Sequence, residues 1–93
     1  MVDKTVDGKT VVQGLFPIMS SILGLPLEIL LEILKKNNMV IDWIDFYNGS
    51  VQNGWKYKTL RVRVSSGVLE IYGREYRDEI LKRLDLYHDY KGP

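Results

Sequence analysis

The segment from residue 55 to residue 64 combines aromatic and basic side chains and contains no acidic residue. Six residues carry this character: Trp55, Lys56, Tyr57, Lys58, Arg61 and Arg63. Aromatic rings interleaved with cations can stack bases and neutralise phosphates. Trp, Tyr and Arg are also enriched at the hot spots of protein–protein interfaces. These six residues are therefore the candidate site, either for a partner protein or for nucleic acid.

The sequence offers little for catalysis or for metal binding. His88 is the single histidine and there is no cysteine, so a second imidazole or a thiolate that could complete a transition-metal site is missing. Asp42 and Asp45 lie three apart in a predicted strand, which places them on opposite faces. No phosphate-binding glycine loop or nucleophile motif is present. We expect no enzyme activity, no catalytic or metal-binding residues and no cofactor.

Length and composition predict one small domain spanning residues 1–93. The chain has a net charge of +1 and 45% hydrophobic residues, which is typical of a globular protein and excludes a polycation. The absence of cysteine favours a cytoplasmic, intracellular setting. The uncharged stretch 10–27 approaches the length of a membrane span. It is interrupted by Pro17, Pro26 and two glycines, so we predict two short core helices and no membrane partner.

Helical periodicity marks three segments. Residues 15–23 predict a first helix that Gly24 ends. Residues 27–36 predict a second, strongly apolar helix with leucines at a spacing of 3.6. Residues 74–87 predict a last helix, and we expect residues 88–93 to form a frayed tail.

At the other end of the chain, residues 1–13 contain the pair Asp7-Gly8 between β-branched residues. This pattern predicts a two-residue hairpin, or else an arm ordered only against a partner.

From Met39 the apolar period changes to two, which predicts strands over 39–47, 55–64 and 68–72. The expected fold is α+β, with an antiparallel three-stranded meander packed against two to three helices. The N-terminal hairpin is an optional extension of this sheet.

Two registers of the 39–47/55–64 hairpin remain open. In one, Val40, Ile44 and Phe46 join Leu60, Val62 and Val64 in the core. In the other register, the residues that strand 39–47 contributes to the core are instead Met39, Ile41 and Trp43.

Two stretches resemble known families. Residues 25–34 resemble the opening of an F-box, the segment that docks ubiquitin-ligase adaptors, and this resemblance implies that further helices follow. The span from Ile18 to Arg63 resembles a winged helix, which implies that the second helix reads the major groove while a two-stranded wing contacts phosphate. In this chain that second helix carries Glu28 and Glu32. Each match is local, and neither names a family for the whole chain.

The function that these features predict is binding. We expect a small, non-enzymatic homodimer that acts as a regulatory or inhibitory partner of another protein, in the manner of viral or mobile-element accessory proteins acting on host machinery. A homodimer would bury the apolar surface that one small core does not need. The alternative is a winged-helix-like nucleic-acid-binding module that uses the basic, aromatic-interleaved strand 55–64.

Overall fold

The computed structural model describes residues 4–6, 8–19 and 25–91, and most of these residues are helical. The elements follow in the order β1 (Lys4–Val6), β2 (Lys9–Val12), α1 (Phe16–Met19), α2 (Leu27–Lys36), β3 (Met39–Ile41), α3 (Trp43–Gln52), α4 (Tyr57–Tyr72) and α5 (Arg74–Lys91).

The predicted antiparallel meander is wrong. The short strands are confined to residues before Asp42, and β2 lies between the other two. β1 pairs with β2 antiparallel, whereas β3 pairs with β2 parallel, with Val11 opposite Val40. The antiparallel β1–β2 pair agrees with the hairpin alternative for the N-terminal segment. The rest of the expected sheet is absent, because residues 43–52 and 57–72 form helices.

Asp42 explains why the strand that begins at Met39 ends so soon. Its carboxylate Oδ1 accepts a hydrogen bond from the backbone N–H of Asp45 at 3.1 Å, and its own carbonyl accepts from Phe46 N–H at 2.9 Å. A side-chain cap of this kind satisfies one of the N–H groups that the first helical turn leaves unpaired. The two aspartates therefore mark the beginning of α3, and they are not residues on opposite faces of a strand.

The segment 57–72 is helical although it is rich in β-branched residues. Leu60, Val64 and Val68 are completely buried and follow at four-residue spacing, while Val62 is 63% exposed. Burial along one helical face outweighs intrinsic strand propensity, which is weak and depends on context. Both hairpin registers fail for this reason, and the wing of the winged-helix resemblance is absent, because residues 57–64 are helical.

Two of the predicted helices are confirmed. The second is α2, with Leu27, Leu30, Leu31 and Leu34 buried, and the last is α5, which continues past Tyr87 to Lys91. The first is helical over Phe16–Met19, with Leu15 just before the helix, and residues 20–23 of the 15–23 prediction lie outside the described residues.

The helices pack against one another around a core of aromatic and aliphatic side chains. α4 and α5 run antiparallel across Gly73, whose φ of 95° suits glycine. α2 approaches α4 closely at Gly67, where an added Cβ would lie 3.2 Å from Leu27 Cδ2. Near the other end of α2, Lys35 Nζ donates to the carbonyl of Ile71 at 3.0 Å.

Within the described residues, every helix is too short or too polar to traverse a bilayer.

Candidate functional site

The six predicted site residues lie around the start of α4. Trp55 and Lys56 belong to the connection between α3 and α4, and Lys56 is the residue that precedes the first helical turn. Tyr57 opens the helix, and the remaining three basic residues occupy its first two turns. Because the segment is helical, these residues do not alternate between two faces of a sheet as the sequence predicted.

Arg61 is held by an acidic residue of α5. Its Nε and one terminal nitrogen donate to the two carboxylate oxygens of Asp85 at 2.9 and 3.0 Å. Tyr57 donates its hydroxyl to the same carboxylate at 2.5 Å. The hydrogen bond from Arg61 lowers the pKa of Asp85. Burial, followed by the bond to Asp85, raises the pKa of Tyr57, which therefore stays a neutral donor at physiological pH.

His88 completes a small aromatic cluster with two tyrosines. Its ring stacks on Tyr57 with centroids 4.3 Å apart and an angle of 21° between the planes. A 2.7 Å hydrogen bond joins its Nδ1 to the hydroxyl of Tyr47. Burial raises the pKa of Tyr47. The histidine is thus a fixed wall of the site, and its ring orientation is set from two sides.

Trp55 is anchored by two neighbours. Its ring meets Phe16 edge-on, with centroids 5.0 Å apart, and the Arg63 guanidinium lies 5.7 Å from the ring centroid. Through this cation–π contact, the positive charge of Arg63 already interacts with an aromatic ring of the same chain. Lys58 is exposed.

An open cavity of about 520 Å³ lies beside this cluster. We call it the aromatic pocket. Its lining comes from α3, the α3–α4 connection, the first residue of α4 and the end of α5, and consists of Tyr47, Asn48, Val51, Trp55, Lys56, Tyr57, His88 and Lys91. The structure therefore brings Trp55, Lys56 and Tyr57 together in one pocket, while Arg61 and Arg63 support it from outside and Lys58 takes no part.

Two contacts with Tyr87 hold Asn48 and Lys91, which line the aromatic pocket. The Tyr87 hydroxyl donates to Asn48 Oδ1 at 3.2 Å, which leaves the amide nitrogen of Asn48 as a donor. The Lys91 ammonium lies 5.8 Å from the Tyr87 ring centroid. The pocket thus presents donors and cations at its edge and aromatic surface inside.

Sequence reasoning missed the residues that α3 and α5 contribute. Tyr47, Asn48 and Val51 share one face of α3 at helical spacing, and His88 and Lys91 share one face of α5. A helix starting after Asp42 would have revealed the first group, and the cap pattern Asp42-x-x-Asp45 was the available signal. Since residues 88–93 were expected to fray, the second group was placed outside the fold.

Comparison with protein-family models, with curated proteins and with solved structures finds no match to this chain.

Proposed function

We propose that this chain is a non-enzymatic binding protein that acts as a regulatory or inhibitory partner of another protein, and that the aromatic pocket is its binding site. The carrying observation is a cavity of about 520 Å³ walled by Tyr47, Trp55 and Tyr57. Cavities that bind ligands are of this size and are lined mainly by apolar and aromatic groups. Half-buried Trp and Tyr side chains are also the usual anchors of a protein interface.

Charge at the edge of the pocket indicates which segment of a partner it accepts. Lys56 and Lys91 line the pocket, and no carboxylate of residues 4–6, 8–19 or 25–91 does. The carboxylate of Asp85, which contacts the lining residue Tyr57, is occupied by Arg61 and Tyr57. An apolar side chain flanked by Asp or Glu would fill the aromatic interior and place its charges beside the two lysines. We therefore propose an acidic segment with one aromatic or aliphatic anchor.

The same geometry argues against the nucleic-acid alternative. Stacking of bases needs an accessible ring face, but one face of Tyr57 carries His88 and the Trp55 ring carries Arg63. Arg61 is paired with Asp85, so two of the four predicted cations already have partners within the chain. We therefore do not propose nucleic-acid binding as the function, and the binding experiment includes an oligonucleotide to test for it.

Selection of displayed random peptides on the purified protein tests this proposal. We expect enriched peptides to share an aromatic or aliphatic residue beside Asp or Glu. Val51→Glu, which places a carboxylate in the pocket, should weaken their binding at least about tenfold. Val62→Glu is the matched control, because Val62 is 63% exposed on α4 and does not line the pocket.

Two results would overturn the proposal. One is that enriched peptides bind the Val51→Glu variant as well as the parent protein. The other is that a labelled oligothymidylate binds more tightly than any peptide and loses affinity steeply as salt rises, as phosphate-driven binding does.

The proposal includes a homodimer and a cytoplasmic setting. Ile33, Leu69 and Leu86 are each more than two-fifths exposed, which is apolar surface that a second copy could cover. Light scattering coupled to size exclusion should give twice the mass of 10.8 kDa. A monomer at all concentrations would contradict the proposed homodimer. The cytoplasmic setting rests on the absence of cysteine.

A further inference from the structure

A second cavity, of about 300 Å³, lies at the opposite end of α3 from the aromatic pocket. We call it the α3 cavity. Trp43 and Ile44, the first two residues of α3, line it together with aliphatic residues of β2, β3 and α5. The lining also includes Tyr76, two cationic residues, Lys9 and Arg83, and two acidic ones, Asp42 and Glu79.

Trp43 supplies an unpaired hydrogen-bond donor at this place. The side chain is 3% exposed, and its indole N–H has no partner among the described residues. Leaving a buried donor unpaired costs on the order of 1–3 kcal/mol. Such orphaned groups are rare in folded proteins and call for an explanation. An acceptor atom of a bound ligand would be such an explanation, because Trp43 lines the α3 cavity.

Backbone donors add to this excess. The first turn of a helix leaves several N–H groups without intrahelical partners. In α3 the N–H of Asp45 is paired with the Asp42 carboxylate, while those of Trp43 and Ile44 have no partner among the described residues. The positive end of the helix dipole favours an anion at the same place.

The acceptors of the α3 cavity are largely in use, whereas its cations are not. Asp42 accepts from Asp45 N–H through Oδ1 and from the Gln13 amide through Oδ2. Lys9 and Arg83 are exposed, and neither pairs with a carboxylate of residues 8–19 or 25–91. Glu79 is the remaining carboxylate of the lining. Donors and cations therefore outnumber the acceptors still open to a ligand.

We propose that the α3 cavity binds a small organic carboxylate with an aliphatic body. The carboxylate would accept hydrogen bonds from Lys9, Arg83 and the donors at the start of α3, and the aliphatic body would lie on the apolar floor. The site is separate from the aromatic pocket and does not depend on the function proposed above.

Titration with octanoate, followed by the indole N–H resonances in a ¹H–¹⁵N correlation spectrum, tests this site. Trp43 and Trp55 give one indole resonance each, and Trp43→Phe assigns them. We expect octanoate to move the Trp43 signal saturably and to leave that of Trp55 in place. Octanamide, which has the same chain without the charge, should bind at least about tenfold more weakly.

Charge-removing variants locate the carboxylate. Arg83→Gln and Lys9→Gln should each weaken octanoate binding several-fold. Lys82→Gln is the control, because Lys82 neighbours Arg83 but does not line the α3 cavity. The proposal is overturned if the Trp43 resonance does not move, if Trp55 moves in parallel with it, if octanamide binds equally well, or if Arg83→Gln and Lys9→Gln behave like Lys82→Gln.

Discussion

Replacing Asp85 with Asn should weaken the attachment of α4 to α5 behind the aromatic pocket. Asp85 accepts from both Arg61 and Tyr57. The Arg61 and Asp85 side chains are 45% and 38% exposed, and an ion pair in such a position is worth about 0.5–1 kcal/mol. The Tyr57 hydrogen bond keeps an amide oxygen as acceptor but loses its charge, which costs about 0.5–1 kcal/mol more. The free energy of unfolding should therefore fall by about 1–2 kcal/mol at neutral pH.

The effect should depend on pH with a definite sign. Since the pKa of Asp85 is lowered in the folded protein, its contribution is present above the ordinary carboxyl value of 3.8 and is lost as pH falls through the folded value. Urea denaturation of the parent protein and of Asp85→Asn, at neutral pH and in acid, measures this. The two proteins should converge in acid.

Asp89→Asn is the matched control, one helical turn further along the exposed side of α5. The reasoning is refuted if Asp85→Asn and Asp89→Asn lose equal stability at neutral pH. It is also refuted if the difference between Asp85→Asn and the parent protein persists undiminished in acid, because then the charge of Asp85 is not what stabilises the contact.

Two further predictions concern the helices that carry the site. Leu60→Ala should cost about 2–5 kcal/mol and Val62→Ala less than about 0.5 kcal/mol, measured by urea denaturation; equal losses would favour the strand pattern that puts both residues on one face. Gly49→Ala and Gly67→Ala each gain about 1 kcal/mol of helix propensity, but an added Cβ at Gly49 would lie 2.9 Å from Phe16 Cβ, whereas at Gly67 it would lie 3.2 Å from Cδ2 and Cγ of the Leu27 side chain. Thermal unfolding should therefore show Gly49→Ala to be the less stable of the two, and the opposite order would contradict the close approach of α1 to α3.

The sequence was sufficient for the elements whose local signals agree with one another. In α2, leucine spacing, Pro26 before the first turn and Lys35-Lys36 in the last turn all indicate a helix. α5 combines an inner apolar stripe with charged residues on its other side. In such segments propensity, pattern and end signals favour the same structure, so the prediction survives packing.

The segment 57–64 was mispredicted because two periods fit the same residues. Leu60, Val62 and Val64 alternate as a strand would, but Leu60, Val64 and Val68 repeat as a helix does. Only tertiary packing decides between these patterns. It buries the second set completely and leaves Val62 exposed. β-branched residues favour strands by about 1 kcal/mol at most, and the effect depends on context.

The sequence identified only a part of the candidate site. The residues of that part are adjacent in the sequence, whereas the geometry of the whole site depends on how the helices pack. Trp55, Lys56 and Tyr57 are adjacent in the sequence, so a search for aromatic and basic residues finds them in any fold. Tyr47 and His88 reach the same pocket only because α3 and α5 are helices that end beside α4. Two errors, the extension of the strand beyond Asp42 and the expected fraying of residues 88–93, therefore hid five of the eight lining residues. The first error also made Trp55, Lys56 and Tyr57 look like an open sheet face suited to bases, whereas the structure places them in a pocket together with residues of α3 and α5.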